Sequence, residues 1–358
     1  MNVAAFSILS NSDAVHYVGP INPPVVARQK AWSKLRRVIG ARGSFFFFSK
    51  HRLNAIAGEV RSKCQAGARL DFFHGFTPWI ATRPERPYIA WSDCTFYDYV
   101  DIYQRREQFL GEDLRRIENA EADWLRKADR VLFTSNWAAE RAVRQYSLEA
   151  TRVASVGIFG EIEMPDRDAY AGRPEFVFVS TNFEAKGGPI VVEAFREVRK
   201  RYPEALLAIV GDRPARGALG PGVSCTGFLR KEVPEEYRRF REILAGARAV
   251  ISATSSDICP LLFVEAGYFG CPVISTRKFA IREIVDDGRT GLLLDEPDRD
   301  SLARVMSRLL TMTNEYQQMR AAAWAKAREM HSRERFEECL GSYVSHSVSV
   351  ANQLASSR

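Results

Sequence analysis

ARAVISATSSDICPLLFVEAGYFGCPVIS, residues 247–275, reads as strand, loop, helix and strand. The apolar run ending at Ile251 and Ser252 is a buried strand. Ala253–Ser256 is a loop of small residues, Leu261–Phe269 a helix, and 271–275 the next strand. Short apolar runs alternating with helices make a parallel sheet covered on both faces. Two carboxylates stand eight positions apart here, Asp257 after the strand's carboxyl end and Glu265 on the first turns of the helix. In an open parallel sheet that edge is where ligands bind. Free N–H groups at the helix start favour an anion there. An acid beside an anion site suits hydroxyls rather than phosphate, such as those of a ribose or a hexose. The competing reading is plainer: Asp257 caps the helix and Glu265 is a solvated helix residue.

The same alternation runs through the second half. Apolar runs at 175–180, 205–210, 223–226, 247–252, 271–275 and 291–295 enclose helical stretches at 188–201, 235–245, 261–269 and 299–312. In the first half it is less regular. Runs at 14–18, 44–48, 70–73, 87–91, 130–134 and 152–156 read as strands, with helices at about 50–65, 104–127 and 136–146. The polar stretch 160–174, with two prolines, reads as the linker. This predicts an α/β protein of two doubly wound domains facing a cleft, a common ligand position. The expected boundaries are 1–164, 165–326 and a helical segment 327–358 packing back on the first domain.

Composition narrows the classes. At 358 residues, 46% apolar and 27% charged, the chain is an ordinary globular protein of two-domain size. Six scattered cysteines, with no CxxC and no paired Cys/His spacing, argue against structural zinc and a disulfide framework. The N-terminus shows neither a signal-peptide pattern nor a spanning run, so the expected location is cytoplasmic. The net charge of +7 suggests anionic partners. It is clumped: Arg28, Lys30, Lys34, Arg36, Arg37, Arg42, Lys50 and Arg52 lie beside Trp32 and Phe45–Phe48. From Val26 to Ile39, Trp32, Leu35 and Ile39 share one helical face and the bases take the other, the pattern of an interfacial helix. Residues 28–52 are therefore a candidate peripheral contact with the inner face of the membrane. The alternative is a surface helix packed on its own sheet, followed by a buried phenylalanine strand. No groove-reading or base-stacking motif accompanies the charge, so nucleic acid is not expected.

The loop after the 175–180 strand is STNFEAKGG, residues 180–188. Glycines let a backbone approach a phosphate, and Lys186 supplies a point charge. GDRPARG (211–217) follows the next strand, and its Arg213 and Arg216 either reach the site or form a solvated loop.

Strand–KG–helix, VGD, TGFL (226–229), acid-x7-acid, GCPVIS and EIVDDGRTGLLL (283–294) follow one another in an order that resembles the nucleotide-sugar-binding half of family 4 glycosyltransferases. These are retaining enzymes of the two-domain GT-B fold. The resemblance covers residues 176–295, and 118–146 resembles the segment before the family's linker.

It implies a hexosyltransferase using a UDP-, GDP- or ADP-sugar and a hydroxyl acceptor, a glycan, lipid-linked or small molecule, without cofactor or bound metal. Glu265 would bond the donor ribose, and Lys186 with Gly187 the diphosphate. Asp257 stands where the family has glutamate, near the donor sugar, and is one methylene shorter. The family's partner arginine falls on Thr181, leaving Arg213 to compensate. Pro260 has no N–H, so Leu261 and Leu262 would supply the phosphate-facing amides. Asp93 falls where relatives often carry a histidine facing the donor sugar, and with Asp257 it is the catalytic candidate. His74, ending the preceding strand, could reach the same cleft. The first domain also lacks the family's opening strand and glycine loop. These departures leave a second expectation, a degenerate member that binds a nucleotide or a partner without turnover.

Overall fold

The computed structural model of the protein describes residues 15–38, 40–64, 67–212 and 219–356. The chain divides between Gly157 and Ile158 into two compact units and returns to the first from Glu337 on.

The second unit is a six-stranded parallel sheet in the order β10-β9-β8-β5-β6-β7. Its strands are β5 (Glu175–Ser180), β6 (Leu206–Gly211), β7 (Val223–Gly227), β8 (Ala249–Ser252), β9 (Val273–Thr276) and β10 (Gly291–Leu294). Strand order reverses at β5, which pairs β6 on one side and β8 on the other. Alternation along each strand fills both faces. Phe176, Phe178, Leu207 and Ile209 join one buried cluster with α6 (Gly188–Arg201) and α10 (Arg299–Thr311). Val177, Ala208, Val210 and Val250 join another with α7 (Pro234–Gly246), α8 (Leu261–Tyr268) and α9 (Ile281–Ile284). Burial on both sides is why these strands read as unbroken apolar runs.

The first unit holds four parallel strands in sequence order: β1 (Asp71–His74), β2 (Tyr88–Ser92), β3 (Arg130–Phe133) and β4 (Val153–Ser155). Among the described residues this sheet winds one way only. Two stretches read from sequence as strands are not strands. Residues 15–18 are irregular, with Val15, Tyr17 and Val18 exposed. The phenylalanine run makes one 3-10 turn, Phe46–Phe48. The Phe45 amide donates to the Asp113 carboxylate at 2.6 Å rather than to a ladder. Its ring packs on Phe96 and Phe109, at 5.0 and 4.9 Å between centroids. The start of the chain, on which the expectation of a missing opening strand and glycine loop falls, lies outside the described residues.

The divide does not fall at 164/165. Ile162 is buried in the second unit's core, and Asp168 pairs with Arg320 at 2.5 Å. Arg320 lies on α11 (Asn314–Met330) and also donates to the Phe269 carbonyl at 2.6 Å. That anchoring keeps the chain through Phe336 in the second unit, past the expected break at 327. The last helix, α12 (Arg333–Ser356), starts there, and its residues from Glu337 belong to the first unit, where Arg69 donates to Asn352 at 2.7 Å.

Candidate functional site

Strands β5 and β8 flank the reversal point, and the loops leaving their carboxyl ends meet. Lys186, after β5, reaches across to Asp257, after β8, at 2.7 Å, and to the Ser256 carbonyl at 3.3 Å. Both side chains are about a quarter exposed, open to a ligand. Asn182 and Asp212 hold the lysine loop. The Asn182 carbonyl accepts from the Lys186 amide, and its side chain accepts from the Ala185 amide. The Asp212 carboxylate, from the end of β6, accepts from the Phe183 amide at 3.0 Å. Sequence reasoning missed Asp212; the aspartate after the strand-ending glycine was its signal.

Gly187 is required at its position. It has φ +79°, and a Cβ there would lie 2.7 Å from the Ala253 carbonyl oxygen. The two loops touch only because this residue has no side chain. Gly187→Ala is expected to cost about 1–2 kcal/mol of stability through left-handed strain and that clash. A urea melt of the second unit checks it.

The remaining predicted donor-side residues distribute unevenly. Thr181 is exposed at the start of the lysine loop. Leu261 and Leu262 form the first turn of α8, half-buried, and Pro260 precedes them as an N-cap without a side-chain bond. First-turn amides have no partner within a helix and point from its end. Arg213 and Arg216 lie outside the described residues.

Glu265 is not a solvated helix residue. It is 2% exposed, and Oε1 accepts from the Glu161 amide at 3.0 Å and from Lys231 Nζ at 2.5 Å. Burial raises its carboxyl above the usual range, and Lys231 pulls it back. Lys231 also lies 5.5 Å over the Phe240 ring. It stands two residues after TGFL, and sequence reasoning passed over it. One carboxylate oxygen is thus committed to the fold.

In the first unit, His74 and Asp93 end adjacent strands. His74 pairs in register with Trp91, and their rings are 5.1 Å apart. Burial lowers the His74 pKa to about 4, against the opposing charge of Asp93, so the imidazole is neutral at pH 7. Asp93 is exposed. Behind these loops lies a residue missed from sequence. Glu121, on α4 (Gly111–Leu125), is fully buried and accepts from the Thr77 hydroxyl and the Phe96 amide, both at 2.6 Å, and from Tyr146 at 3.2 Å. It ties the loop after β1 to the loop after β2. A glutamate on the apolar stripe of Leu114, Ile117 and Trp124 was the available signal.

Residues 173–312 match the family described as glycosyl transferases group 1. A GDP-mannose-dependent alpha-(1-6)-phosphatidylinositol monomannoside mannosyltransferase of Mycolicibacterium smegmatis is 29% identical over 217 residues, 55% of this chain and 55% of that protein. The chain thus spans about half the length of the curated relatives it matches. Among solved structures, sucrose-phosphate synthase from Thermosynechococcus elongatus gives a TM-score of 0.62 at 17% identity, covering 86% of this chain and 80% of that one. HepE of Anabaena, solved with UDP, gives 0.59 at 16% identity, covering 91% and 85%. At these identities the likeness is one of fold, and that fold is GT-B.

Proposed function

From the match of residues 173–312 to the glycosyl transferases group 1 we propose that the chain moves a hexose from a nucleoside-diphosphate sugar to an acceptor hydroxyl with retention of configuration. The observation that carries this reading is the Lys186–Asp257 pair at the reversal point of the second sheet. Breaking the bond from an anomeric carbon to a diphosphate puts negative charge on the leaving group. A cation and backbone amides aimed at that charge lower the barrier. Lys186 and the first-turn amides of Leu261 and Leu262 are the groups proposed for that task.

Asp257 pairs with Lys186 at 2.7 Å. An arriving diphosphate would replace it as the lysine's partner and release the aspartate to accept from a sugar hydroxyl. Nucleotide binding and placement of the sugar would then be one event, which is how binding energy is used to orient a reacting group. Thr181, where relatives of the family place an arginine, offers only a hydroxyl, so a modest donor affinity is expected. In the first unit, taken by itself, Asp93 is proposed to accept from hydroxyls, with neutral His74 beside it.

Glu265 is proposed to take the donor ribose through its other carboxylate oxygen. Glu265→Ala is expected to lose about 2 kcal/mol of nucleotide affinity, the scale of a charged hydrogen bond. Calorimetry checks this, and an unchanged affinity would remove the ribose role.

The Mycolicibacterium relative is named for GDP-mannose and a phosphatidylinositol mannoside, and HepE was solved with UDP. Both support a sugar-nucleotide donor, and the first favours a lipid-bearing acceptor. The test is consumption of labelled UDP-, GDP- and ADP-sugars, with the anomeric configuration of the product read by NMR. One donor should be consumed and its configuration kept. Nucleotide binding without consumption of any donor would contradict transfer, and an inverted product would contradict retention.

A further inference from the structure

The helix α1 (Ala27–Val38) is mounted the wrong way round for a helix that packs by its apolar side. Its inward residue is Ser33, which is 0% exposed and donates to the Ser44 carbonyl at 2.7 Å. Trp32, Leu35 and Val38, three apart on one stripe, are 62%, 53% and 83% exposed. Phe47, on the neighbouring 3-10 turn, is also exposed. This reverses the expectation of a surface helix packed on its own sheet. Ile39, read from sequence as part of the stripe, lies outside the described residues, and Val38 extends the stripe in its place.

The charge around the stripe is of one sign. Arg28, Lys30, Lys34, Arg42 and Lys50 are exposed, and none pairs with an acid among the described residues. From Val15 to Gly58 the sequence holds no aspartate or glutamate. Asp113, which the fold brings to this region, is engaged by the Phe45 amide and by Arg116. Arg52 is not part of this surface: it is buried and donates to the Pro23 and Phe47 carbonyls.

We propose that this face of α1 docks the protein on a bilayer carrying anionic headgroups, with Trp32, Leu35 and Val38 entering the interface and the surrounding bases meeting lipid phosphates. An amphipathic helix lying in the interface needs an exposed apolar stripe bordered by cations, and both are present. No helix among the described residues is long and apolar enough to cross a membrane. The inference rests on this surface alone and stands whether or not the chain transfers a sugar.

The experiment uses the intact protein with phosphatidylcholine vesicles, with and without phosphatidylglycerol. Binding should need the anionic lipid and fall as salt rises. Each base contributes about fivefold near such a surface, so the Arg28→Gln, Lys30→Gln, Lys34→Gln triple variant should bind about a hundredfold more weakly. Brominated lipid should quench the protein's fluorescence, and Trp32→Phe should remove that component. These side chains are exposed, so the variants should melt as the parent does. Absent binding, binding indifferent to lipid charge, or quenching unchanged by Trp32→Phe would overturn the proposal. So would a dimer in solution that dissociates when Trp32, Leu35 and Val38 become serine, since a second copy would then be the occupant.

Discussion

Lys186→Ala is expected to weaken binding of a nucleoside diphosphate about a hundredfold, or close to 3 kcal/mol, and to leave the bare nucleoside almost unaffected. The lysine spans the reversal point of the second sheet, and among the described residues its only anionic side-chain partner is Asp257. That pair is a quarter exposed, and exposed pairs contribute about 0–1 kcal/mol, so the fold should survive the loss. Asp257→Asn should act in the opposite direction on the bare diphosphate. Without a carboxylate to displace, the lysine is free for phosphate, and affinity should rise by roughly threefold to fivefold. The same variant should lose turnover if Asp257 orients the sugar. Titration of both variants with nucleoside and diphosphate separates these effects. Equal losses for both ligands in Lys186→Ala would reduce the lysine to a support for its loop.

The second large effect is on stability and comes from Glu121. Burial lifts its carboxyl to about 7, against the pull of the Phe96 amide and the Thr77 and Tyr146 hydroxyls. The folded state therefore holds this proton more tightly than the unfolded chain. Stability from that proton is fully present below the unfolded value near 4.5 and is lost as pH rises toward 7. Integrated over that window the change is about 3 kcal/mol. Glu121→Gln cannot titrate, so its stability relative to the parent should rise by about that amount between pH 4.5 and 7. His74 and His331 have folded pKa values lowered to about 4 by burial, so their contribution is present above 6.5 and lost on acidification. Both occur in parent and variant and cancel in the difference. Five of the six tryptophans, Trp32, Trp79, Trp91, Trp124 and Trp137, lie in the first unit and Trp324 in the second, so fluorescence-monitored urea unfolding of a Trp324→Phe background reads the first unit. A difference that stays flat with pH would show that Glu121 is ionised throughout.

Legibility in the sequence followed burial geometry. Strands buried on two faces, such as Phe176–Val179 and Val250–Ile251, read directly, because every position is apolar. Their loops read as well, since Lys186, Gly187 and Asp257 follow strands at fixed offsets. The phenylalanine run misled for the same reason it attracted notice: four aromatics fit a buried strand, yet Asp113, 68 residues away, takes the Phe45 amide and ends any ladder. Glu265 was legible as a carboxylate on the helix after β8 but not as a buried one, because its partners Lys231 and Glu161 come from two distant segments. The boundary was misplaced because the bonds that bind Gly160 and Glu161 to the second unit, from Tyr268 and Glu265, span 108 and 104 residues. Side-chain bonds across such distances leave no local periodicity. The orientation of α1 was hidden likewise, since the Ser33 hydroxyl that faces inward is held by the Ser44 carbonyl of a later segment.

The central claim is that the loops after β5 and β8 form a nucleoside-diphosphate site. Calorimetric titration of the intact protein with UDP, GDP and ADP, each beside its nucleoside, tests it most directly. One diphosphate should bind at one site per chain, about a hundredfold tighter than its nucleoside. Diphosphates that bind no better than their nucleosides, or do not bind at all, would contradict it.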